Sequence, residues 1–181
     1  SVAVIPEGAL LVPDSVRNLL WVELNEGMLN VLEHVAGNTI VLRKSIPISI
    51  GKRGIGKISE GDQKTPVGVY RLTSYLQDKQ LDDFYGLGAY PMNYPNAMDA
   101  MLGHTGSGIW LHGLPKNLEQ RPLLDSDGCV VIDNESLLGL KDTIVEGETL
   151  IVLSAESINW VSLQSQIEIR QELQATLEKW R

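Results

Sequence analysis

Cys129 is the only cysteine in the chain, and it stands in "DSDGCVVID" (125–133), straight after Asp-Gly and directly before a Val-Val-Ile run. A thiol attacks as thiolate, and a nearby histidine lowers its pKa and stabilises the ion pair. His112 closes the short apolar stretch "GIWLHG" (108–113), so both residues fall at strand edges beside a glycine. Gly128 lets the backbone approach a substrate closely. The N–H groups around Asp127, Gly128 and Cys129 could face a developing oxyanion. The chemistry is that of cysteine–histidine acyl transfer. On spacing alone, a buried structural cysteine is the competing reading.

Short β-like runs must position this pair. "LLWVEL" (19–24) and "MLNVLEH" (28–34) flank "NEG", a hairpin signal. "AGN" (36–38) turns into "TIVLRKSIPISIG" (39–51), which completes an antiparallel meander. Further strands are expected at "GVYRLTS" (68–74), "GIWLHG", "CVVI" (129–132) and "TLIVLS" (149–154). A helix "ESLLGLKDTI" follows Asp133 or Asn134, either of which suits an N-cap. Residues 75–107 read as a long loop, the kind that tends to carry function or to move. Residues 1–18, with Pro6, Gly8 and Pro13, read as an irregular lead-in. From 155 to 181 glycine and proline vanish, and Ile169, Leu173, Leu177 and Trp180 recur on one face of an amphipathic helix.

The 181 residues suffice for one domain with a real core and some extra chain. The net charge of -8 argues against binding a nucleic-acid backbone, which needs clustered Lys and Arg. No apolar run approaches the roughly 20 residues that span a bilayer. A single cysteine excludes an intrachain disulfide and a cysteine-rich zinc module. The chain starts at Ser1, which reads as a mature or cut form. "GKRGIGK" (51–57) superficially suggests a phosphate-binding loop, but Ile58 follows the lysine where Ser or Thr is needed, and no helix pattern follows.

"IWLHG" (109–113) followed, after twelve residues, by "SDGCVV" (126–131) resembles the signature of the L,D-transpeptidase (YkuD-like) catalytic domain family: His-Gly, a spacer, then Ser-x-Gly-Cys. "GDQKTPVGVYRLT" (61–73) resembles the family's Gly-Asp-x-x-Thr-Pro-x-Gly segment. "SIPISIGK" (45–52) resembles the strand before the long loop, and "YPN" (94–96) with "GHTGSGIWLHG" (103–113) resembles the branch nearer the YafK-like enzymes. The similarity covers roughly residues 19–154. It implies a mainly β, sandwich-like domain with a flanking helix, plus the C-terminal helix. The domain plan expected is a lead-in over 1–18, a catalytic domain over 19–154, and a helix over 155–181. "IRQELQATLEKWR" (169–181) resembles the first helix of a following small NTF2-like domain.

The resemblance also implies roles. Cys129 matches the nucleophile, His112 the general base and acid, and Gly113 the residue whose carbonyl orients the imidazole. Gly128 and Cys129 match the oxyanion-hole backbone, and Ser126 matches the motif serine that braces the loop. Two departures stand out. Asp127 replaces a common histidine and would oppose thiolate formation unless it points away or is paired. Val131 or Ile132 stands where the family commonly has arginine, a role Arg121 in "QRPLLDSDGC" is a candidate to fill. Tyr90 and Tyr94 are candidates for lining a peptide cleft, and His104 for a substrate loop. Trp21 and Trp110 read as core, His34 and the Asp82-Asp83 pair as surface, and Asp62 and Lys64 as structural. A zinc site from His104, His112, Cys129 and Asp125 lacks the usual short ligand spacing.

The activity implied is peptidoglycan L,D-transpeptidation. A tetrapeptide stem acylates the cysteine, D-alanine leaves, and an amine accepts the acyl group to form a 3-3 cross-link or to attach an envelope lipoprotein. Water as acceptor would make an L,D-carboxypeptidase. From another class, the rival is a non-catalytic peptidoglycan-binding module. The resemblance implies no metal or cofactor, and a periplasmic or cell-envelope location.

Overall fold

The computed structural model describes residues 4–7, 15–35 and 39–179. The meander forms as expected. β2 (Asn18–Glu23), β3 (Met28–Val35) and β4 (Thr39–Pro47) pair antiparallel. The "AGN" turn lies outside the described residues. β12 (Leu150–Ser154) adds parallel to β2, and β6 (Gly68–Arg71) adds antiparallel to β12. The five-stranded sheet therefore runs β4-β3-β2-β12-β6.

A second sheet has the order β11-β9-β8-β7. Its strands are β7 (Leu76–Gln77), β8 (Gly88–Pro91), β9 (Trp110–Gly113) and β11 (Val130–Ile132). A short parallel pair, β5 (Ile50–Gly51) with β10 (Leu124–Ser126), bridges towards the cysteine loop. The main core lies between the sheets. Leu20, Val22, Leu29, Ile151 and Leu153 of the first meet Tyr90, Leu111, Val130 and Ile132 of the second. α2 (Asn134–Gly139) flanks them, with Asp133 as N-cap accepting from the Ser136 N–H at 2.7 Å.

The five-stranded sheet is apolar on both faces, which is why "LLWV" reads as a continuous run rather than an alternation. Leu19, Leu32 and Ile40 point away from the main core and pack with Ile5, Trp21, Val152 and Val161. That second cluster explains a departure from the sequence reading. The lead-in is not wholly irregular, because Val4–Pro6 forms β1 and pairs antiparallel with β13 (Trp160–Ser162). Burying Ile5 on the back of the sheet supplies the drive, at about 2 kcal/mol for a side chain of that size.

The segment 75–107 is not structureless. It holds β7, 3-10 turns at Asp78–Gln80 and Asp83–Tyr85, β8, and α1 (Ala97–Met101). The C-terminal helix forms as α3 (Leu163–Glu178), but Ile169, Leu173 and Leu177 are at least half exposed. Trp180 lies outside the described residues. Among the described residues, no helix is long and apolar enough to cross a membrane.

Candidate active site

Strand register brings Cys129 and His112 together. β9 and β11 run parallel with Val131 opposite His112. Cys129 lies just outside β11, two residues before Val131, at the end of the cysteine loop. Both line a cleft of about 210 Å³ with Lys57, Phe84, Tyr85 and Ser126.

The imidazole is fully buried, and its Nδ1 lies 2.7 Å from the Gly113 carbonyl oxygen. A carbonyl only accepts, so Nδ1 carries the proton and Nε2 is a bare acceptor. Among the described residues Nε2 has no partner. Tyr85 packs edge-on against the ring at 5.1 Å, and Phe84 lies 5.9 Å away. Burial pushes His112 down to about 4, against the pull of the Gly113 carbonyl, and the Arg121 charge lowers it further.

The Cys129 thiol donates to the Gly108 carbonyl at 3.4 Å. Burial pushes it up to about 11. The Trp110 N–H and the charges of Arg121 and Lys57 oppose that rise, and the Asp127 charge adds to it. The resting site is thus a neutral thiol beside a neutral imidazole, not the ion pair anticipated from the sequence.

The loop before Cys129 is tied down from several sides. Ser126 Oγ donates to the Cys129 carbonyl at 2.6 Å and accepts the Gly128 N–H at 3.1 Å. The Gly128 amide is therefore already engaged, so of the two amides expected at an oxyanion, only that of Cys129 is left to serve. Gly128 has φ +131°, and a Cβ there would come within 2.8 Å of the Lys64 carbonyl oxygen. The buried Thr65 hydroxyl donates to the Gly128 carbonyl and accepts the Gly51 N–H, both at 2.9 Å. The Thr-Pro motif is thus a clasp between the cysteine loop and β5.

Asp127 points out and is paired, with Lys52 Nζ and Gln63 Nε2 each at 3.0 Å. The Lys52 bond holds its carboxyl below the usual range against partial burial. Gln63 adopts φ 56°, uncommon for a side-chain-bearing residue. Val131 and Ile132 are core residues. The Arg121 side chain is only 7% exposed, pairs with Asp125, and lies 5.4 Å over the Phe84 ring. Its charge reaches His112 and Cys129, but it does not line the cleft.

Three other candidates fall elsewhere. Tyr90 is buried against Tyr75. Tyr94 is buried, with its hydroxyl donating to the Thr105 carbonyl at 3.1 Å. His104 Nδ1 lies 3.1 Å from buried Asp99. None of the three lines the cleft. The sequence reading missed Phe84, Tyr85 and Lys57. The chain's single phenylalanine beside a tyrosine and Gly86 was the available signal for the first two.

The family model described as the YkuD L,D-transpeptidase catalytic domain matches residues 17–153. Among solved structures, Bd1075 of Bdellovibrio bacteriovorus is 34% identical with a TM-score of 0.71, over 100% of this chain and 61% of that one. The helical cell shape determining protein Pgp2 from Campylobacter jejuni is 26% identical with a TM-score of 0.69, over 80% of this chain and 50% of that one. This chain is thus shorter than two thirds of either relative. A search of curated proteins finds no match.

Proposed function

The chain belongs to the L,D-transpeptidase (YkuD) catalytic domain family, and from that premise we propose that it is a cysteine-dependent peptidoglycan L,D-transpeptidase of the cell envelope. The observation that carries the reading is the buried, bare Nε2 of His112, in the same cleft as the only thiol.

Cys129 Sγ attacks the carbonyl of the third stem residue. Because both groups rest neutral, the thiol proton passes to His112 Nε2 as the C–S bond forms. Gly113 holds the ring in the tautomer this needs, and its carbonyl stabilises the imidazolium. The Cys129 N–H meets the oxyanion. On collapse the C–N bond breaks, Nε2–H protonates the departing amine of D-alanine, and a thioester is left. An amine of a second stem, or a lysine of an envelope lipoprotein, then attacks the thioester. The likeness to Pgp2, a helical cell shape determining protein, supports extending the reading to cell shape.

One observation favours hydrolysis as a second reading. The cleft of about 210 Å³ is smaller than the 300 Å³ or more typical of small-molecule sites. Little space is left beside a donor peptide for a second stem, and water as acceptor would make tripeptide. Incubation with disaccharide-tetrapeptide, followed by mass spectrometry with Cys129→Ala alongside, tests both. Cross-linked dimers that vanish in the variant establish transpeptidation, and tripeptide alone establishes carboxypeptidation. Absence of any Cys129-dependent product refutes the enzyme reading and favours a binding module.

A further inference from the structure

Lys57 is a lysine whose side chain is only 4% exposed, yet it lines the cleft that holds Cys129 and His112. Buried lysines are rare and need partners. Its Nζ donates to the Ser59 carbonyl at 3.0 Å and to Asp62 Oδ1 at 2.9 Å. An ammonium has three N–H donors, so one has no oxygen acceptor among the described residues, and the head also lies 5.9 Å from the centre of the Tyr94 ring. The chain grips the head closely. A Cβ on Gly106 would stand 3.2 Å from Lys57 Cε and 3.4 Å from Nζ.

The pairing with Asp62 does not cancel this cation. Asp62 also accepts the backbone N–H groups of Ile58 and Ser59 on one oxygen and of Lys64 on the other. Three amides and one ammonium converge on one carboxylate, so the Asp62 charge is shared with the loop's own backbone rather than held by Lys57 alone. Cys129 senses it, since the Lys57 charge favours its thiolate. The acids lining the same cleft, Glu60 and Asp127, disfavour an anion elsewhere along it.

We infer that Lys57 is a specificity-determining residue that takes a carboxylate of the donor peptide, and that this carboxylate fixes which amide bond lies against Cys129. The inference rests on the stem-peptide reading above. Two donor groups share the chemistry: the terminal carboxylate of the departing D-residue, and a side-chain carboxylate on a dicarboxylic diamino acid at position three.

The test is a binding measurement that needs no turnover. The chain carrying Cys129→Ala is titrated by calorimetry with tetrapeptide, with tetrapeptide amidated at its C-terminus, and with tetrapeptide amidated on the diamino-acid side chain. Each titration is repeated with Lys57→Met and Lys57→Arg added. The expected result is that one amide binds roughly tenfold or more weakly than the acid. Lys57→Met should weaken the acid to that same level while leaving that amide unchanged, and Lys57→Arg should restore most of the preference. Which amide suffers identifies the carboxylate. A collapsed loop would instead weaken all three ligands alike, and that outcome overturns the inference. So does an unchanged acid-to-amide ratio in Lys57→Met, or failure of any tetrapeptide to bind. Failure of the enzyme reading has a separate signature, binding without Cys129-dependent turnover.

Discussion

Acid should destabilise this protein through His112 by a calculable amount. Burial holds the folded imidazole at about 4, against 6.5 for an ordinary histidine. Below 6.5 the unfolded chain takes up a proton that the folded chain refuses. The stability gained from a neutral His112 is therefore fully present above pH 6.5 and is lost as pH falls through 4. The gap between 6.5 and about 4 corresponds to about 3 kcal/mol at roughly 1.36 kcal/mol per pH unit. Urea unfolding of wild type and of His112→Gln at pH 7, 6, 5 and 4 measures it. Asp62, Asp127 and Asp133 all have lowered pKa values and also shed stability in acid, but they do so in both proteins and cancel in the difference. Wild type should lose about 3 kcal/mol more than the variant across that range. Parallel curves would refute the argument. They would mean that the imidazole titrates normally, is largely charged at pH 5, and does not offer Nε2 as a bare base.

The thiol gives a complementary test. With Cys129 near 11 rather than 9.0, its alkylation by iodoacetamide at pH 7 should be roughly 100-fold slower than that of an exposed thiol and should rise with pH towards 11; a plateau between pH 5 and 8 would demand a preformed ion pair. Thr65→Val strips two buried hydrogen bonds and should cost about 2–3 kcal/mol by urea unfolding; a loss under about 0.5 kcal/mol would show that the clasp is dispensable. Gly86 follows the aromatic turn at φ +68°, and a Cβ there would collide with the Leu114 carbonyl oxygen and with Asn134 Oδ1. Gly86→Ala should therefore lower stability by about 2 kcal/mol or more and loosen Phe84 and Tyr85 over His112, read as faster alkylation of Cys129.

The meander was legible because its information is local. "NEG" between two apolar runs specifies a hairpin whatever the rest of the chain does. The pairing of β1 with β13 was not legible, because strands of three residues carry no periodicity. Their partnership spans almost the whole chain and is set by which apolar side chains remain uncovered on the back of the sheet. β7, β8 and the two 3-10 turns were hidden in the same way. Each is too short to announce itself, and each is held by contacts from elsewhere, such as Lys116 with Asp78 and Asp83.

The site divides along the same line. Cys129 and His112 could be picked out because their neighbours in sequence, glycine on one side and an apolar strand on the other, are also what positions them. Phe84, Tyr85 and Lys57 act on those two residues across large sequence gaps, and nothing adjacent to them declares it. Charge state was the most misleading inference from sequence for the same reason. A cysteine and a histidine written side by side in an argument suggest an ion pair, but the pair forms only where its charge is solvated. Here Phe84 and Tyr85 pack against an imidazole that is itself fully buried. The resting pair stays neutral, and the proton moves only when a substrate carbonyl accepts the sulfur. A thiol raised to about 11 should react slowly with small electrophiles at neutral pH, which leaves reactivity to ligands that bind in the cleft. The substrate must then supply the drive for proton transfer, in a cleft that Lys57 also lines.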